Sequence, residues 1–402
     1  MKADFFQYNR QRLSEALEGG VIVLTAYTKM QRSNDAASAF DQEANFWWVS
    51  GIDTADWWII IDGSRHKSWL VSPDVDAVHH VFDGILSAEE AKSISGVDAV
   101  MTHEQAKDML RQLAKQHSIV YTLGDQPHAE QYDFVQNPAP KKLHEQLSRS
   151  FATVRDCRKE LAVLRAIKQP EEITAITKAV NLTIEAFEIV KSKINSFSYE
   201  YQIDAEFSYH FRRHGAEGHA YDPIIASGGN ACTLHYGDNS AKLKKSQLIL
   251  MDVGVRYGGY AADITRTYAY GDITKRQQAV HERVAEAHLE IIDLLGPDVT
   301  VEAYQQDVRR IMMSALCELK LATSSDDSAA YGRYFPHAVS HGLGIDVHDS
   351  LGAPRYLRPG MILTVEPGIY IPEENIGVRI EDDIVITDSG HRNVSARLST
   401  AW

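Results

Sequence analysis

The chain has 402 residues, which at about 150 residues per domain predicts two or three domains. Its composition, 44% hydrophobic and 24% charged, is that of an ordinary soluble globular protein with enough apolar residues for hydrophobic cores. The formal net charge of −14 would repel a phosphate backbone, so nucleic acid is excluded as an expected partner.

The cysteine content and the apolar runs bear on compartment and membrane. Three cysteines, far apart and without a CxxC pair, support neither a disulfide framework nor a structural zinc site. A reducing, cytoplasmic compartment is therefore expected. No apolar segment of the signal-peptide kind follows Lys2, and the longest apolar runs, such as residues 57–61, are too short to span a bilayer. We expect no membrane partner.

The first 155 residues alternate between strand-like and helical segments. Gly19 and Gly20, followed by VIVLTAY, predict the end of a helix and then a buried strand. NFWWVSGI, DWWIIIDG and HSIVYTLGD predict further strands, and GDQPH at residues 124–128 predicts a turn. This alternation predicts an α/β N-terminal domain over residues 1–155.

Long helical segments begin near residue 155. Leu161, Leu164 and Ile167 keep helical spacing, and Pro170 stands where a new helix would begin. Further helices are expected at about 276–295 and 301–321, and hairpin-like strands prevail from residue 221 onward. We therefore expect a second, α+β domain over residues 156–402.

Two aspartates occur in the first of these hairpins, QLILMDVGVRYGGYAADITRT. A turn near Gly258 and Gly259 would place Asp252 directly opposite Asp263. Opposed side chains lie about 5 Å apart at Cβ, where like charges destabilise a sheet. A cation between the carboxylates, or a proton on one of them, is therefore required.

A second hairpin, MILTVEPGIYIPEENIGVRIEDDIVIT, repeats this arrangement. Its turn would place Glu366 opposite Glu381, with a possible bulge at Pro367. His341 lies in FPHAVSHGLGIDVHD, where glycines permit close approach of the backbone. Four carboxylates and one imidazole suit two bridged ions of manganese, cobalt or zinc. A two-metal site of this kind activates water for hydrolysis.

Each carboxylate pair also has a purely structural interpretation. Asp252 and Asp263 could be solvated on opposite faces of a hairpin with another register. The acidic run at residues 381–383 could be a solvated edge, and His341 could be a structural histidine. The metal site disappears only if all of these interpretations hold together. HEQAK and HERVA lack the second histidine of the HExxH motif, so a thermolysin-like site is not expected.

These motifs resemble those of the pita-bread metallopeptidases (family M24), which include aminopeptidase P, prolidase, methionine aminopeptidase and creatinase. MDVG, ADITRT, PHAVSHGLGIDVHD, VEPGIY and GVRIEDDIVIT carry the resemblance over residues 156–402. The segment around FWWVSGI is similar to the smaller creatinase-like N-terminal domain. The resemblance implies a pita-bread (creatinase/aminopeptidase) catalytic domain, a homodimer and two divalent ions, manganese first, with cobalt or zinc as alternatives. It implies these five ligands: Asp252, Asp263, His341, Glu366 and Glu381.

The resemblance also implies roles around the metals. His235 and His348 would contact the substrate, and Glu366 would shuttle a proton. Arg379 would support the proline pocket and the substrate carboxylate. The implied catalytic residues are His235, His348, Glu366 and Arg379; the implied substrate-binding residues are Tyr221, His235, His337, His348 and Arg379. Simple structural roles stay open for Tyr221, His235 and Arg379.

The implied activity is that of an Xaa-Pro aminopeptidase, which hydrolyses the bond before proline at the N-terminus of proline-containing peptides. A prolidase restricted to dipeptides is the alternative, and a non-catalytic pita-bread binding module is the alternative of a different class. Methionine aminopeptidase usually lacks the large N-terminal domain, and creatinase lacks the metal ligands. Two residues depart from the family pattern. Ala338 stands where a glycine is usual, and Gly342 stands where the aminopeptidases of the family often have a bulky aromatic residue.

Overall fold

The computed structural model describes residues 1–126 and 134–402. The chain divides into two compact units, Met1–Leu164 and Arg165–Trp402. The domain boundary between residues 155 and 156 stays a prediction, and the turn predicted at residues 124–128 lies partly outside the described residues. No helix in these two described ranges is long and apolar enough to cross a membrane.

The helices and strands of the described residues are numbered in chain order. The helices are α1 (Ala3–Ala16), α2 (Ala44–Ser50), α3 (Ala77–Asp83), α4 (Ala88–Ser95), α5 (His103–Leu113), α6 (Ala139–Leu147), α7 (Arg158–Ala166), α8 (Pro170–Ser192), α9 (Glu200–Arg213), α10 (Lys275–Ile292), α11 (Val301–Glu318) and α12 (Ser328–Tyr334). The strands are β1 (Val21–Thr25), β2 (Gln31–Ser33), β3 (Ala36–Ala37), β4 (Trp58–Asp62), β5 (Lys67–Val71), β6 (Ala99–Met101), β7 (Ile119–Thr122), β8 (Thr153–Asp156), β9 (Gly218–His219), β10 (Ile224–Ser227), β11 (Gln247–Val253), β12 (Val255–Tyr257), β13 (Tyr260–Ala261), β14 (Ile264–Tyr270), β15 (Ile362–Val365), β16 (Gly368–Ile371), β17 (Ile376–Arg379), β18 (Asp382–Thr387) and β19 (Gly390–Asn393).

The N-terminal unit is built on a mixed sheet with the spatial order β6-β5-β4-β1-β7-β8. The central strand β1 is fully buried and lies antiparallel to β4 and parallel to β7. Its apolar side chains pack with those of α5 and α6 in one core. VIVLTAY, DWWIIIDG and HSIVYTLGD therefore form strands as predicted, and the α/β class of this domain is confirmed.

Most of residues 45–52, predicted as a strand, lie in the helix α2 (Ala44–Ser50) instead. The Glu43 carboxylate caps the helix by accepting a hydrogen bond from the Phe46 backbone N–H at 2.6 Å. Gly51 ends the helix with a φ of +73°. Nearly every side chain of α2 is buried, and a short apolar run that is buried on all sides lacks the periodicity that separates strand from helix.

The C-terminal unit combines the helices α8–α12 with short antiparallel sheets. The sheets have the spatial orders β10-β11-β14, β13-β12-β9, β15-β18-β19 and β16-β17. Helices α10 and α11 pack against the apolar side chains of β15–β18 in a large core. The helix predicted to start at Pro170 is α8, and the α+β class of this domain is confirmed.

The first carboxylate hairpin, β11–β14, has a register two residues away from the predicted one. Asp252 pairs with Thr265 and not with Asp263. The reason is the turn, because Gly258 and Gly259 adopt φ values of +61° and +82° and form the two central positions of a tight turn. A shift of two residues preserves the face of each side chain, so Asp252 and Asp263 still point to one side.

The second hairpin has the predicted register. β15 pairs with β18, and β16 pairs with β17, in the same register. Extending this register across the gap between the two ladders places Glu366 opposite Glu381. The predicted bulge at Pro367 does not shift the register, although the ladder is interrupted there. Both hairpins therefore present acids at the positions where their ladders are interrupted or end.

Gly254 lies between the two aspartates and has no room for a side chain. A Cβ atom there would lie 1.7 Å from the carbonyl oxygen of Ala262, which is backbone and cannot move aside. Gly254→Ala is therefore expected to destabilise the C-terminal unit by about 2–3 kcal/mol, as overpacking does. Urea unfolding measures the loss. Gly332→Ala is the control, because a Cβ there meets nothing within 4 Å; equal unfolding midpoints for the two variants would contradict the expectation.

Candidate metal centre

One cavity of about 550 Å³ in the C-terminal unit brings together all the residues predicted for the site. Its lining includes Tyr221, His235, Asp252, Asp263, His337, His341, His348, Glu366, Arg379 and Glu381. Residues more than 100 positions apart in the sequence therefore meet at a single place.

The four acids of the cavity lie near the ends of strands in the two hairpins. Asp252 is the next-to-last residue of β11, and Asp263 directly precedes β14. Glu366 directly follows β15, and Glu381 directly precedes β18. His341 lies beside β15, where its carbonyl oxygen accepts a hydrogen bond from the backbone of that strand at 3.0 Å. The two hairpins thus supply the four acids, and the segment that precedes β15 supplies His341.

His341 lies among three of the acids. Its Nε2 is 3.4 Å from Asp263 Oδ2 and 3.5 Å from Glu366 Oε1. Asp263, His341 and Glu381 offer ligand atoms that all lie within 4.8 Å of one another. The Nδ1 of His341 donates to the Gly342 carbonyl oxygen at 2.9 Å, which leaves Nε2 to face the carboxylates.

Asp252 is held by a tyrosine and an arginine. Arg379 Nη2 donates to Asp252 Oδ2 at 2.5 Å. The Tyr221 hydroxyl lies 2.5 Å from Asp252 Oδ1 and 2.5 Å from Asp263 Oδ1. One hydroxyl oxygen therefore touches both aspartates, although its single proton can be donated to only one of them at a time.

The positive charge near the acids is too small to let all of them ionise together. Burial, with the charge of Asp263 adding to it, raises the pKa of Glu366 to about 7. Burial and then the charges of Asp263 and Glu366 hold the pKa of Glu381 well above its ordinary value. For His341, burial lowers the pKa, but the hydrogen bond and charge of Asp263 outweigh burial and raise it to about 9.

This donor set fits divalent cations. It consists of hard carboxylate oxygens and one imidazole, it is largely buried, and its acids cannot all ionise without added positive charge. Asp252, Asp263, His341, Glu366 and Glu381 are the residues that would hold such ions.

The remaining histidines differ in their surroundings. His337 Nδ1 donates to the Ala338 carbonyl oxygen at 2.7 Å, and its Nε2 lies 2.9 Å from the Tyr370 hydroxyl. The His348 ring packs against the His341 ring with centroids 4.4 Å apart. Burial lowers the pKa of both His337 and His348 to about 4, so both rings are neutral at pH 7. A neutral imidazole has one N–H to donate and one nitrogen to accept.

Arg379 is engaged with the protein itself. Its guanidinium is buried and donates to Asp252, to the Tyr370 hydroxyl at 2.8 Å and to Thr265 Oγ1 at 3.3 Å. Arg379 therefore orients one candidate ligand and, through Tyr370, the ring of His337.

Several supporting residues were not predicted from the sequence. Thr265 Oγ1 donates to Glu381 Oε2 at 2.7 Å, and Thr364 Oγ1 accepts from the His341 backbone N–H at 3.2 Å. Asp383 Oδ2 accepts from the Asp263 backbone N–H at 3.1 Å. Each supporting residue lies two positions from a candidate ligand along its strand, and strand periodicity puts such residues on the same face. That spacing was the available signal.

The acidic run at residues 381–383 is not the solvated edge that its composition suggested. Asp382 and Asp383 are 2% and 0% exposed, since β18 is the central strand of its sheet. Alternation turns Asp382 away from the cavity, where it pairs with the buried Arg266 at 2.6 Å. Glu381 and Asp383 share the face that points towards Asp263.

Gly342, a departure from the family pattern, has a local structural reason. A Cβ there would lie 2.3 Å from the Asp349 carbonyl oxygen. Gly342 also pairs with Asp349 in a β-bridge, so this backbone has no space for an aromatic side chain. Ala338, the other departure, lines the cavity directly.

An oxygen-rich, imidazole-bearing donor set between two hairpins is a site of the metallohydrolase class. Residues 174–388 match Metallopeptidase family M24, and residues 6–121 match the aminopeptidase P N-terminal domain. The chain belongs to metallopeptidase family M24. Membership implies divalent metal ions, and the predicted resemblance and two-domain organisation are confirmed.

Known proteins resemble the chain along most of its length. An Xaa-Pro aminopeptidase of Escherichia coli is 33% identical and covers 97% of this chain and 94% of its own. Xaa-Pro aminopeptidase 3 of Homo sapiens is 31% identical and covers 94% and 78%. The structure of Escherichia coli aminopeptidase P with the inhibitor Pro-Leu superposes with a TM-score of 0.88 at 31% identity, covering 99% of this chain and 96% of that one.

The raised pKa values predict a pH-dependent effect of metal on stability. Glu366, with a pKa of about 7, and His341, with a pKa of about 9, both bind protons more tightly in the folded state than in the unfolded state. Their contributions to metal-free stability are therefore lost as the pH rises through 7 and then 9. Divalent cations replace these protons, so manganese is expected to raise the melting temperature more at pH 8 than at pH 5.5.

Differential scanning fluorimetry measures the melting temperature with and without manganese at each pH. Groups that titrate elsewhere in the protein affect the two samples at one pH equally, so the difference between them reports the metal. Asp263→Asn is the control and should show little shift at either pH. A shift that is equal at the two pH values, or larger at pH 5.5, would contradict the expectation.

Proposed function

We propose that this protein is a dinuclear-metal Xaa-Pro aminopeptidase, which removes the first residue of peptides whose second residue is proline. The observation that carries the proposal is the convergence of four acids and His341 in one cavity of an M24 chain. Its similarity to Xaa-Pro aminopeptidases over most of its length supports the substrate class. The proposed metal is manganese, with cobalt or zinc as alternatives, and the proposed ligands are Asp252, Asp263, His341, Glu366 and Glu381.

Two divalent ions, when bound, would polarise the scissile carbonyl and lower the pKa of a water molecule. Glu366 lies 3.5 Å from His341 and 3.6 Å from His337, at the point where the acids meet the neutral histidines. Its carboxylate is placed to take a proton and to deliver it to the departing proline nitrogen.

Three histidines of the cavity would bind the substrate. His348 can donate its one N–H to the scissile carbonyl oxygen and so stabilise the negative charge that develops there. His337 and His235 line the same cavity and can accept or donate towards the peptide. Arg379, which already binds Asp252 and Tyr370, orients these groups.

The cavity also has an apolar wall. Ile224, Leu234 and Val347 line it next to the histidines. Proline has no N–H to donate and its ring fixes φ, so an extended-strand binding mode recognises it poorly. An apolar surface beside hydrogen-bonding imidazoles suits a compact, apolar proline ring next to a backbone carbonyl that still needs a partner.

A homodimer and a cytoplasmic location are proposed together with this activity. The homodimer rests on the family resemblance, and the location rests on the low cysteine content. The prolidase alternative shares every candidate residue and differs only in whether space is left beyond the proline.

One experiment tests the activity and its branch. Manganese-loaded protein is expected to release alanine from Ala-Pro-Ala, with slower turnover of Ala-Pro, measured by chromatography of the products. Asp263→Asn should lower the activity by more than the roughly 100-fold that follows loss of a residue hydrogen-bonded to a metal ligand, because it removes a ligand itself. Glu206→Gln, on α9 and outside the cavity lining, should behave as the parent, because it weakens only an ion pair with the half-exposed Lys193.

The outcomes separate the alternatives. Cleavage of Ala-Pro alone would support the prolidase. No hydrolysis of either peptide by metal-loaded protein would contradict the proposal.

A further inference from the structure

Glu200 is a fully buried carboxylate that the proposed chemistry does not use. It is the first residue of α9. Its Oε1 accepts hydrogen bonds from the Ser227 backbone N–H at 2.8 Å, the Ser227 hydroxyl at 2.7 Å and Asn230 Nδ2 at 3.1 Å. Its Oε2 accepts from the Tyr236 hydroxyl at 2.9 Å and the Ala241 backbone N–H at 2.8 Å. Five donors therefore converge on one side chain.

All five donors belong to residues 227–241, which run from the last residue of β10 into the connection towards β11 and are here called the His235 loop. Glu200 binds this loop at its beginning, in its middle and at its end. The loop brings Leu234, His235 and Gly237 to the lining of the cavity. A single carboxylate thus connects a helix outside the cavity to the segment that forms one of its walls.

The environment of Glu200 is suited to an anion. A carboxylate is costly to bury unless its oxygens are hydrogen-bonded, and here both oxygens are. The N-terminus of a helix also favours negative charge. The backbone N–H of Glu200 donates to the Ala241 carbonyl oxygen at 3.0 Å, so backbone and side chain fasten the same end of the loop.

His235 depends on the loop for its position. Its side chain is exposed, and it has no hydrogen bond to any residue within the described ranges 1–126 and 134–402. Its place at the cavity is therefore set by the backbone that carries it. The next residue, Tyr236, points the other way and is bound by Glu200.

We propose that Glu200 is a positioning residue that holds the His235 loop against the cavity, so that His235 and Leu234 meet the substrate. The proposal rests on the proposed peptidase activity for its kinetic consequence but not for its structural one.

Glu200→Gln is a sharp test of this role. Each carboxylate oxygen accepts from a backbone N–H, that of Ser227 or that of Ala241. A glutamine amide in either orientation must present its NH2 group to one of these N–H groups. At least one end of the loop is therefore released, while the size of the side chain is unchanged.

The kinetic arm compares Glu200→Gln, Tyr236→Phe and Leu316→Ala on Ala-Pro-Ala. Leu316 lies in the core on α11, away from the loop, and controls for lost stability. A loosened loop must be ordered when substrate binds, so KM should rise and kcat/KM should fall by about ten- to a hundred-fold in Glu200→Gln, the range produced by misplaced groups. Tyr236→Phe, which removes one donor, should lose less.

The controls distinguish positioning from a general structural role. Bound manganese per chain should be unchanged in all three variants, because no candidate ligand is altered. Lost stability alone would lower the amount of folded enzyme, and hence the apparent kcat, without changing KM. A parental KM in Glu200→Gln would overturn the proposal.

A double variant tests whether Glu200 acts through His235. If it does, Glu200→Gln should add little to the loss caused by His235→Ala, since coupled residues are not additive. Fully additive losses would overturn the coupling.

Amide hydrogen exchange gives a readout that needs no peptidase activity. Glu200→Gln should increase exchange in residues 228–241 and leave β11 and β14 as in the parent, and Leu316→Ala should not affect the loop. Unchanged loop exchange would overturn the proposal. If the parent cleaves no peptide, the proposed function fails, but the exchange measurement still tests the role of Glu200. If Glu200→Gln does not accumulate as folded protein, Tyr236→Phe replaces it in the exchange measurement.

Discussion

The mutual repulsion of four carboxylates in one largely buried cavity is the constraint around which the C-terminal unit is organised. Burial and neighbouring charges raise the pKa of Asp263, Glu366 and Glu381, which means that these acids are short of positive charge. Arg379 compensates Asp252, and His341 lies close enough to compensate two of the others. The deficit that remains is of the kind that divalent cations relieve, in keeping with membership of a metallopeptidase family.

Several layers of the fold serve to hold these acids together. The Gly258–Gly259 turn of the first hairpin, the turn at residues 372–375 of the second and the register of each set the acids near strand ends. Residues two positions away along each strand bind the ligands' backbones or side chains. Arg379 extends this support to Tyr370 and His337. Glu200, in turn, binds the loop that carries His235 to the lining of the cavity.

Local patterns predicted much of this arrangement, and long-range packing determined the rest. The hairpins, the helices after residue 155 and the convergence of the ten site residues followed from periodicity, turn chemistry and family motifs. The first register was wrong by two residues because it depends on the φ values of Gly258 and Gly259, which both lie within the turn. The helix α2 and the burial of residues 381–383 could not be predicted from the sequence, because both result from packing on all sides, which composition does not reveal. The partners of Glu200 lie 27 to 41 residues away, beyond any local pattern.

Locating the bound metal is the decisive experiment for the proposed metal centre. Crystals of the protein grown with manganese can be measured for anomalous scattering at a wavelength where manganese contributes. We expect two peaks, each within bonding distance of carboxylate oxygens from both hairpins, with His341 bonded to one of them. An absence of peaks in the cavity, or strong peaks only on other parts of the surface, would contradict this expectation.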